Sequence, residues 1–244
     1  MKNNINELIK YFDTIKKKKF VISERNEPSG IEYTFEKLIE KKEDNIPLPD
    51  FKGIEIKTKL GYTTTSITLF CLTPNKENDS PIKFLLNNYG YPSKNNKEYK
   101  DLKFNVACNR AKTIASKYIA KLKLDKEKLI LVISDKQFNN VNKEIYWNLK
   151  DIKKRLETKL KYLAYIKGYP YKKDNKTYYK YTNLEIYKLK SFNRFIELLE
   201  ENKIYITFNI SMFKNEKRNG QIHDRGTAFK LKIDNLEDLF ERIY

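Results

Sequence analysis

At 244 residues the chain can hold one large domain or two lobes, and its 50 Lys and Arg against 32 Asp and Glu give a formal charge of +18. That excess favours a polyanion bound through phosphate contacts and counterion release, with nucleic acid the first candidate, although an AT-rich genome also enriches Lys, Asn, Ile and Tyr. Two cysteines are too few for a disulfide framework or a four-ligand zinc site, and the single His223 excludes nucleases, zinc hydrolases and phosphotransfer relays that need several imidazoles.

The start, Met1-Lys2-Asn3-Asn4, lacks the apolar core of a signal peptide, and no run approaches the roughly 18 residues that span a bilayer. The expectation is a cytoplasmic protein with no membrane partner, its Cys71 and Cys108 kept as buried thiols. Residues 5 to 20 read as a helix, with Ile5, Leu8, Ile9, Phe12 and Ile15 on one stripe. It runs into the Lys16 to Lys19 cluster, which is either a phosphate contact or a solvated face. After a turn from Asn26 to Gly30, helical spacing returns at Phe35, Leu38 and Ile39, with Glu36 beside that stripe.

The next segment, Pro47-Leu48-Pro49-Asp50-Phe51-Lys52-Gly53-Ile54-Glu55-Ile56-Lys57, sets an aspartate just ahead of a short alternating strand. Side chains two apart share a strand face, so Glu55 and Lys57 project together while Ile54 and Ile56 pack behind them. Asp50 can fold back beside them. Two converging carboxylates offer the hard oxygen ligands that Mg²⁺ prefers, and a neighbouring ammonium can orient the attacking water. Glu-x-Lys alone carries little weight, because Glu40/Lys42, Glu98/Lys100, Glu157/Lys159 and Glu201/Lys203 repeat it. Glu40 and Glu157 lie in helix-like runs, where positions two apart do not face each other. Only Glu55 combines the strand with an upstream acid, and the competing reading is a solvated strand face with an ordinary charge pair.

Strands are expected at 53–60 and 66–72, joined by a Gly61 to Thr65 turn, followed by a polar loop or insertion from Asn75 to Asp101. A helix near 109–122 and a core strand at Leu129 to Ile133 come next, and Trp147 introduces a helix to about residue 160. Alternating Tyr and Lys from Tyr162 to Tyr187 suggest paired strands, and a helix from Phe192 to Glu201 precedes a strand at Ile204 to Ile210. Asn219-Gly220 then marks a hairpin. A soft boundary lies near residue 150.

The returning arm, Gln221-Ile222-His223-Asp224-Arg225-Gly226-Thr227-Ala228-Phe229, crowds polar side chains beside a glycine that permits a bend. An arginine can bond guanine bidentately, a carboxylate can accept from cytosine, and a β-ribbon fits the major groove. The alternative is a structural corner in which Asp224 caps the turn or pairs with Arg225.

Together, Gly30-Ile31-Glu32-Tyr33-Thr34-Phe35-Glu36-Lys37-Leu38, the run from Leu48 to Lys59, Ser66-Ile67-Thr68-Leu69-Phe70 and His223 to Phe229 resemble the MvaI/BcnI family of type II restriction endonucleases, relatives of MutH and Sau3AI. The resemblance runs from about residue 29 to the C-terminus and is least secure over 75–125. It implies an α/β (α+β) PD-(D/E)xK restriction-endonuclease-like fold, a mixed sheet flanked by helices, with 1–150 mainly the catalytic lobe and 151–244 mainly a second, DNA-recognition lobe. By position, Asp50 and Glu55 would bind Mg²⁺ with the Ile56 carbonyl as an extra ligand, Lys57 would position the water, and Glu36 would be the helix-borne acid. His223, Asp224 and Arg225 become the base-reading candidates, joined by Thr227, Ser66 and Thr68. The implied activity is Mg²⁺-dependent cleavage of double-stranded DNA by a monomer at a short pseudosymmetric site of the CCNGG type, leaving 5′ phosphates, with a cognate methyltransferase as companion. A strand-nicking repair endonuclease of the MutH kind would share every catalytic residue, and a non-catalytic DNA-binding protein would use the acids only as lysine partners.

Overall fold

A computed structural model describes residues 1–25, 29–40, 48–62, 65–94, 96–139, 141–213 and 216–244. Lys42, Pro47, most of the expected 26–30 turn and the middle of the 61–65 turn lie outside the described residues. The chain forms two compact units interleaved in sequence, one of Met1–Thr65, Leu156–Ser191 and Leu236–Tyr244, the other of Ser66–Arg155 and Phe192–Asn235. A single cut near residue 150 does not describe this division. Strand Tyr162–Lys173 returns to pair in parallel with Glu55–Leu60, setting Leu163 beside Glu55 and Tyr165 beside Lys57. Parallel pairing requires a long crossover, and residues of the second unit occupy it.

In the first unit the strand order is Val21–Ile22, Lys176–Leu189, Tyr162–Lys173, Glu55–Leu60, with Phe240–Arg242 also paired to 176–189. The tyrosine-rich stretch is the expected antiparallel pair, closed by Asp174 and Asn175 with φ 49° and 58°, the left-handed conformation of a tight two-residue hairpin turn. Helices α1 (Lys2–Lys17) and α2 (Gly30–Leu38) supply Leu8, Phe12, Ile15, Ile31 and Phe35 to a core shared with Ile54, Ile56, Ala164, Ile166 and Ile186. Ile54 and Ile56 are completely buried, which pins the register of strand 55–60 and leaves Glu55 and Lys57 outside that apolar layer.

The second unit holds two antiparallel sheets. One runs Ser66–Cys71, Ala228–Lys232, Ile204–Met212, Lys100–Val106, Tyr91–Pro92, with Ile222–Asp224 paired to 204–212. Alternation buries Ile67, Leu69, Phe229, Leu231, Ile206, Phe208, Leu102 and Phe104 on one face. The other face carries Ser66 and Thr68 beside Lys232 and Lys230, then Tyr205 and Thr207, then Asn105. The second sheet is a meander of Lys112–Ile114, Tyr118–Asp125, Lys128–Asp135 and Asn142–Asn148. Helices α3 (Pro81–Tyr89), α4 (Leu149–Leu160) and α5 (Phe192–Glu200) complete the larger elements.

Three expectations change. The helix near 109–122 is instead the first hairpin of the meander, because Ala120 and Leu122 alternate at period two and are buried against strand 128–135. The 75–101 loop contains α3, started by Ser80, whose hydroxyl accepts the Lys83 N–H, and by Pro81 at the first helical position, so Ser-Pro opens a helix rather than punctuating a loop. Trp147 belongs to strand 142–148 and the helix begins after it. Strands 55–60 and 66–71, neighbours in sequence, sit in different sheets. Among the described residues no helix is long and apolar enough to cross a membrane.

Candidate active site

The site begins with a turn. Phe51 and Ile54 exchange both backbone hydrogen bonds, at 2.9 and 2.8 Å, and the two residues between them are left-handed, Lys52 at φ 44° and Gly53 at φ 89°. This reversal is as tight as a hairpin allows. It folds Asp50 back onto the strand, where its Oδ2 accepts the Ile56 N–H at 2.9 Å. The four residues between Asp50 and Glu55 are therefore the length of this turn. Gly53→Ala forces a side chain into the φ 89° conformation, and its Cβ meets only the flexible end of Met1 at 3.2 Å, so the cost is in the backbone. We expect a loss of about 1–2 kcal/mol of stability, read from thermal melts, together with reduced cleavage as Asp50 shifts.

Glu55 is fully buried, and its Oε1 lies 2.7 Å from Lys57 Nζ and 3.2 Å from Lys159 Nζ. Neither of its carboxylate oxygens receives an aligned hydrogen bond among the described residues. Burial pushes its carboxyl pKa up, Lys57 opposes the rise, Asp50 adds to it and Lys159 opposes it. Burial works to discharge the Lys57 ammonium, yet Glu32, Glu55 and Asp50 hold its pKa above the ordinary lysine value. Lys57 Nζ also lies 3.1 Å from Glu32 Oε1 and donates to its own neighbour's carbonyl, Ile56 O, at 3.0 Å. Three oxygens thus surround one cation.

This donor set suits a hard divalent ion. Among the described residues no three His, Cys, Asp or Glu side chains cluster as a metal site, so an ion here would rest on the Asp50 and Glu55 carboxylates, the Ile56 carbonyl and oxygens from water or substrate. Mg²⁺ is commonly held in that way, by one or two carboxylates and several waters. The feature that fits is the buried Glu55 carboxylate: two ammoniums face it, but neither oxygen is held by an aligned hydrogen bond among the described residues, which leaves it able to turn toward a divalent ion.

Two residues of this cluster escaped the sequence reading. Glu32 is an α2 acid that reaches Lys57; Glu36, the acid named from sequence, follows one turn later and is half-buried. Their i,i+4 spacing puts both on one helix face, and only the helix's register against strand 55–60 chooses between them. Lys159 belongs to a Glu-x-Lys that the helical context argued against. Its signal lay in chain order, four residues ahead of Leu163, the parallel partner of Glu55.

The base-reading candidates lie in the second unit. His223 pairs with Ser211, and its ring stacks on Phe213 with centroids 4.2 Å apart and an 8° interplanar angle. Arg225 is exposed, and its backbone N–H donates to Asn209 O at 3.0 Å. Asp224 holds the turn together, since its Oδ1 accepts the Gly226 N–H at 2.9 Å and Thr227 donates its hydroxyl to Oδ2 at 3.4 Å. Burial raises the Asp224 pKa against those donors. Thr227 is only 1% exposed, so its hydroxyl serves the turn. Gly226 has φ 98°, and a Cβ there would come 2.9 Å from Cys71 Sγ, so this corner requires glycine. Ser66, whose hydroxyl accepts the Tyr205 O–H at 2.8 Å, and half-buried Thr68 share the polar sheet face. Asp50, Glu55, Ile56, Lys57 and Glu36 belong to the first unit, and the six base-reading candidates to the second.

A family model described as the MvaI/BcnI restriction endonuclease family matches residues 9–240. The chain is similar over its length to two solved structures, each at 28% identity and covering 99% of this chain. "Restriction endonuclease MvaI-cognate DNA substrate complex" superposes with a TM-score of 0.89 over 98% of that chain. "Restriction endonuclease MvaI in the absence of DNA" gives 0.63 over 97%. No curated protein matches in sequence.

Proposed function

The chain belongs to the MvaI/BcnI restriction endonuclease family and is a type II restriction endonuclease acting on DNA; we propose that Asp50, Glu55 and Lys57 form its hydrolytic centre and that Mg²⁺ is its cofactor. The observation that carries this reading is the tight turn returning Asp50 to the strand that also bears Glu55 and Lys57. Magnesium held by Asp50, Glu55 and the Ile56 carbonyl would neutralise charge on the reacting phosphate and ease departure of the 3′ oxygen. Lys57, fixed as an ammonium, is a hydrogen-bond donor; it orients the attacking water in line with the leaving oxygen and steadies charge on the phosphate. Glu32 aims that ammonium. Glu36, one turn along the same helix, is the proposed acid that acts through water or helps orient Lys57. Hydrolysis leaves a 5′ phosphate and a 3′ hydroxyl.

Sequence is read from the second unit by His223 and Arg225, with Ser66 and Thr68 on the neighbouring polar face and Asp224 and Thr227 shaping the segment. Double-stranded DNA with a short pseudosymmetric site of the CCNGG type is the proposed substrate. The enzyme acts as a monomer in the cytoplasm beside a cognate methyltransferase. Digestion of a plasmid of known sequence with Mg²⁺, followed by mapping of the fragment ends, tests this directly. Linear product with 5′ phosphates at one repeated sequence is expected; nicked circles as the final product would instead mark a strand-nicking enzyme. Arg225→Ala should cost about 1–3 kcal/mol in binding to the cognate site and relax one position of the target. An unchanged fragment pattern and affinity would remove Arg225 from base reading.

A further inference from the structure

We propose that Lys159 makes ion binding wait for DNA: its ammonium, set against Glu55, keeps the DNA-free site too weakly anionic to hold a divalent cation well. The proposal rests on the reading that Asp50 and Glu55 hold the ion. Lys159 closes the last turn of α4, and its Nζ lies 3.2 Å from Glu55 Oε1 although its side chain is 21% exposed. The placement is fixed by the backbone. Leu160 is fully buried, and the strand that follows immediately locks Leu163 in register with Glu55.

A second lysine on this carboxylate needs a reason, because Lys57 at 2.7 Å already neutralises one buried charge. Among the described residues, the charges that act on Glu55 and Lys57 are Asp50 and Glu32 with Lys159, so the five groups together carry a formal excess of one negative charge. A divalent ion reverses that to an excess of one positive charge in a partly buried pocket, where unlike-sign balance matters most. One phosphate brings the sum to zero. Without Lys159 the same ion would be balanced by the protein alone, with no phosphate required. The lysine therefore biases the site toward taking up its ion together with the DNA backbone, and the two ligands strengthen each other by the same factor.

The test is a titration of the intact, DNA-free chain with Mn²⁺, following free ion by electron paramagnetic resonance, so the readout is ion affinity and not cleavage. Lys159→Met should bind Mn²⁺ about tenfold or more tightly than the wild type, and Lys159→Arg should match the wild type. Lys159→Gln repeats the charge change should the methionine variant fold poorly, with melting curves checking both. Adding the cleaved product duplex, which carries 5′ phosphates, should strengthen Mn²⁺ binding more in the wild type than in Lys159→Met. A merely structural role for Lys159 predicts weaker ion binding on its removal, and equal or weaker binding in both neutral variants overturns the proposal. Asp50→Asn separates the two levels of the argument. If it weakens Mn²⁺ binding while the Lys159 variants do not tighten it, only the role of Lys159 falls; if it leaves binding unchanged, the ion site itself is misplaced.

Discussion

Lys57→Ala should lower Mg²⁺-dependent cleavage by a factor of about 10²–10³ while leaving affinity for cognate DNA within a few-fold of the wild type. The ammonium sits between Glu32, Glu55 and the Ile56 carbonyl, all within 3.1 Å, so its position is set from three directions. Truncation removes the donor that aligns water and phosphate, and preorganised donors of this kind typically contribute two to three orders of magnitude in rate. It also leaves Glu32 and Glu55 facing each other across the gap. Removing one partner of a buried pair usually costs about 3–5 kcal/mol, but Lys159 remains 3.2 Å from Glu55 and limits the damage. The variant should fold, with a modestly lowered melting temperature. Lys57→Arg should not restore the rate, since a planar guanidinium cannot occupy a seat shaped for a compact ammonium. The proposed base-reading residues lie on the other unit, so binding is expected to persist. Plasmid cleavage and gel-shift titration read the two effects separately, and wild-type cleavage by Lys57→Ala would remove this cluster from the chemistry.

What the sequence disclosed about this cluster follows the physical range of each contact. Asp50, Glu55 and Lys57 are linked by one turn and a period-two strand, both local, and so were visible in eight consecutive residues. Glu32 and Lys159 join them only through tertiary register. Glu36 and Glu32 are indistinguishable until α2 is docked on Ile54 and Ile56. Lys159 depends on strand 162–173 being the parallel neighbour of 55–60, and no local pattern announces which strand crosses back after so long an excursion. The same nonlocal pairing hid the interleaving of the two units. In the distal segment the local reading went further. Gly226 forced the corner, and Asp224 proved to cap it as one of the two alternatives had it, while Arg225 was left exposed. The error over 109–122 was of a different kind: short polar hairpins contain enough Ala, Lys and Leu to mimic a helix until their cross-strand partners are known.

Trp147→Ala should destabilise the protein by about 3–5 kcal/mol and lower its melting temperature by about 8–16 °C. The indole is fully buried at the end of the meander, with centroids 5.7 Å from Phe229 and 6.1 Å from Phe208. Those rings stack in turn on Phe70 and Phe104, both at 4.7 Å, so one side chain joins the meander, directly and through these neighbours, to four strands of the other sheet. Its Nε1–H donates to Leu72 O at 2.9 Å, and truncation strands that carbonyl as well as opening a cavity. Trp147→Phe keeps most of the apolar contact and should cost only about 1–2 kcal/mol, which separates the hydrogen bond from the packing. Calorimetry suits both variants, because the chain has a single tryptophan and its fluorescence is lost with it. Phe229 lies two residues beyond Thr227, so loosening this core reaches the proposed base-reading segment through the backbone of strand 228–232. At temperatures where the variant is still folded, cleavage should therefore lose discrimination between cognate and single-mismatch sites before it loses rate. If Trp147→Ala melts within about 2 °C of the wild type, the two sheets are held by something other than this aromatic cluster, and its influence on base reading goes with it.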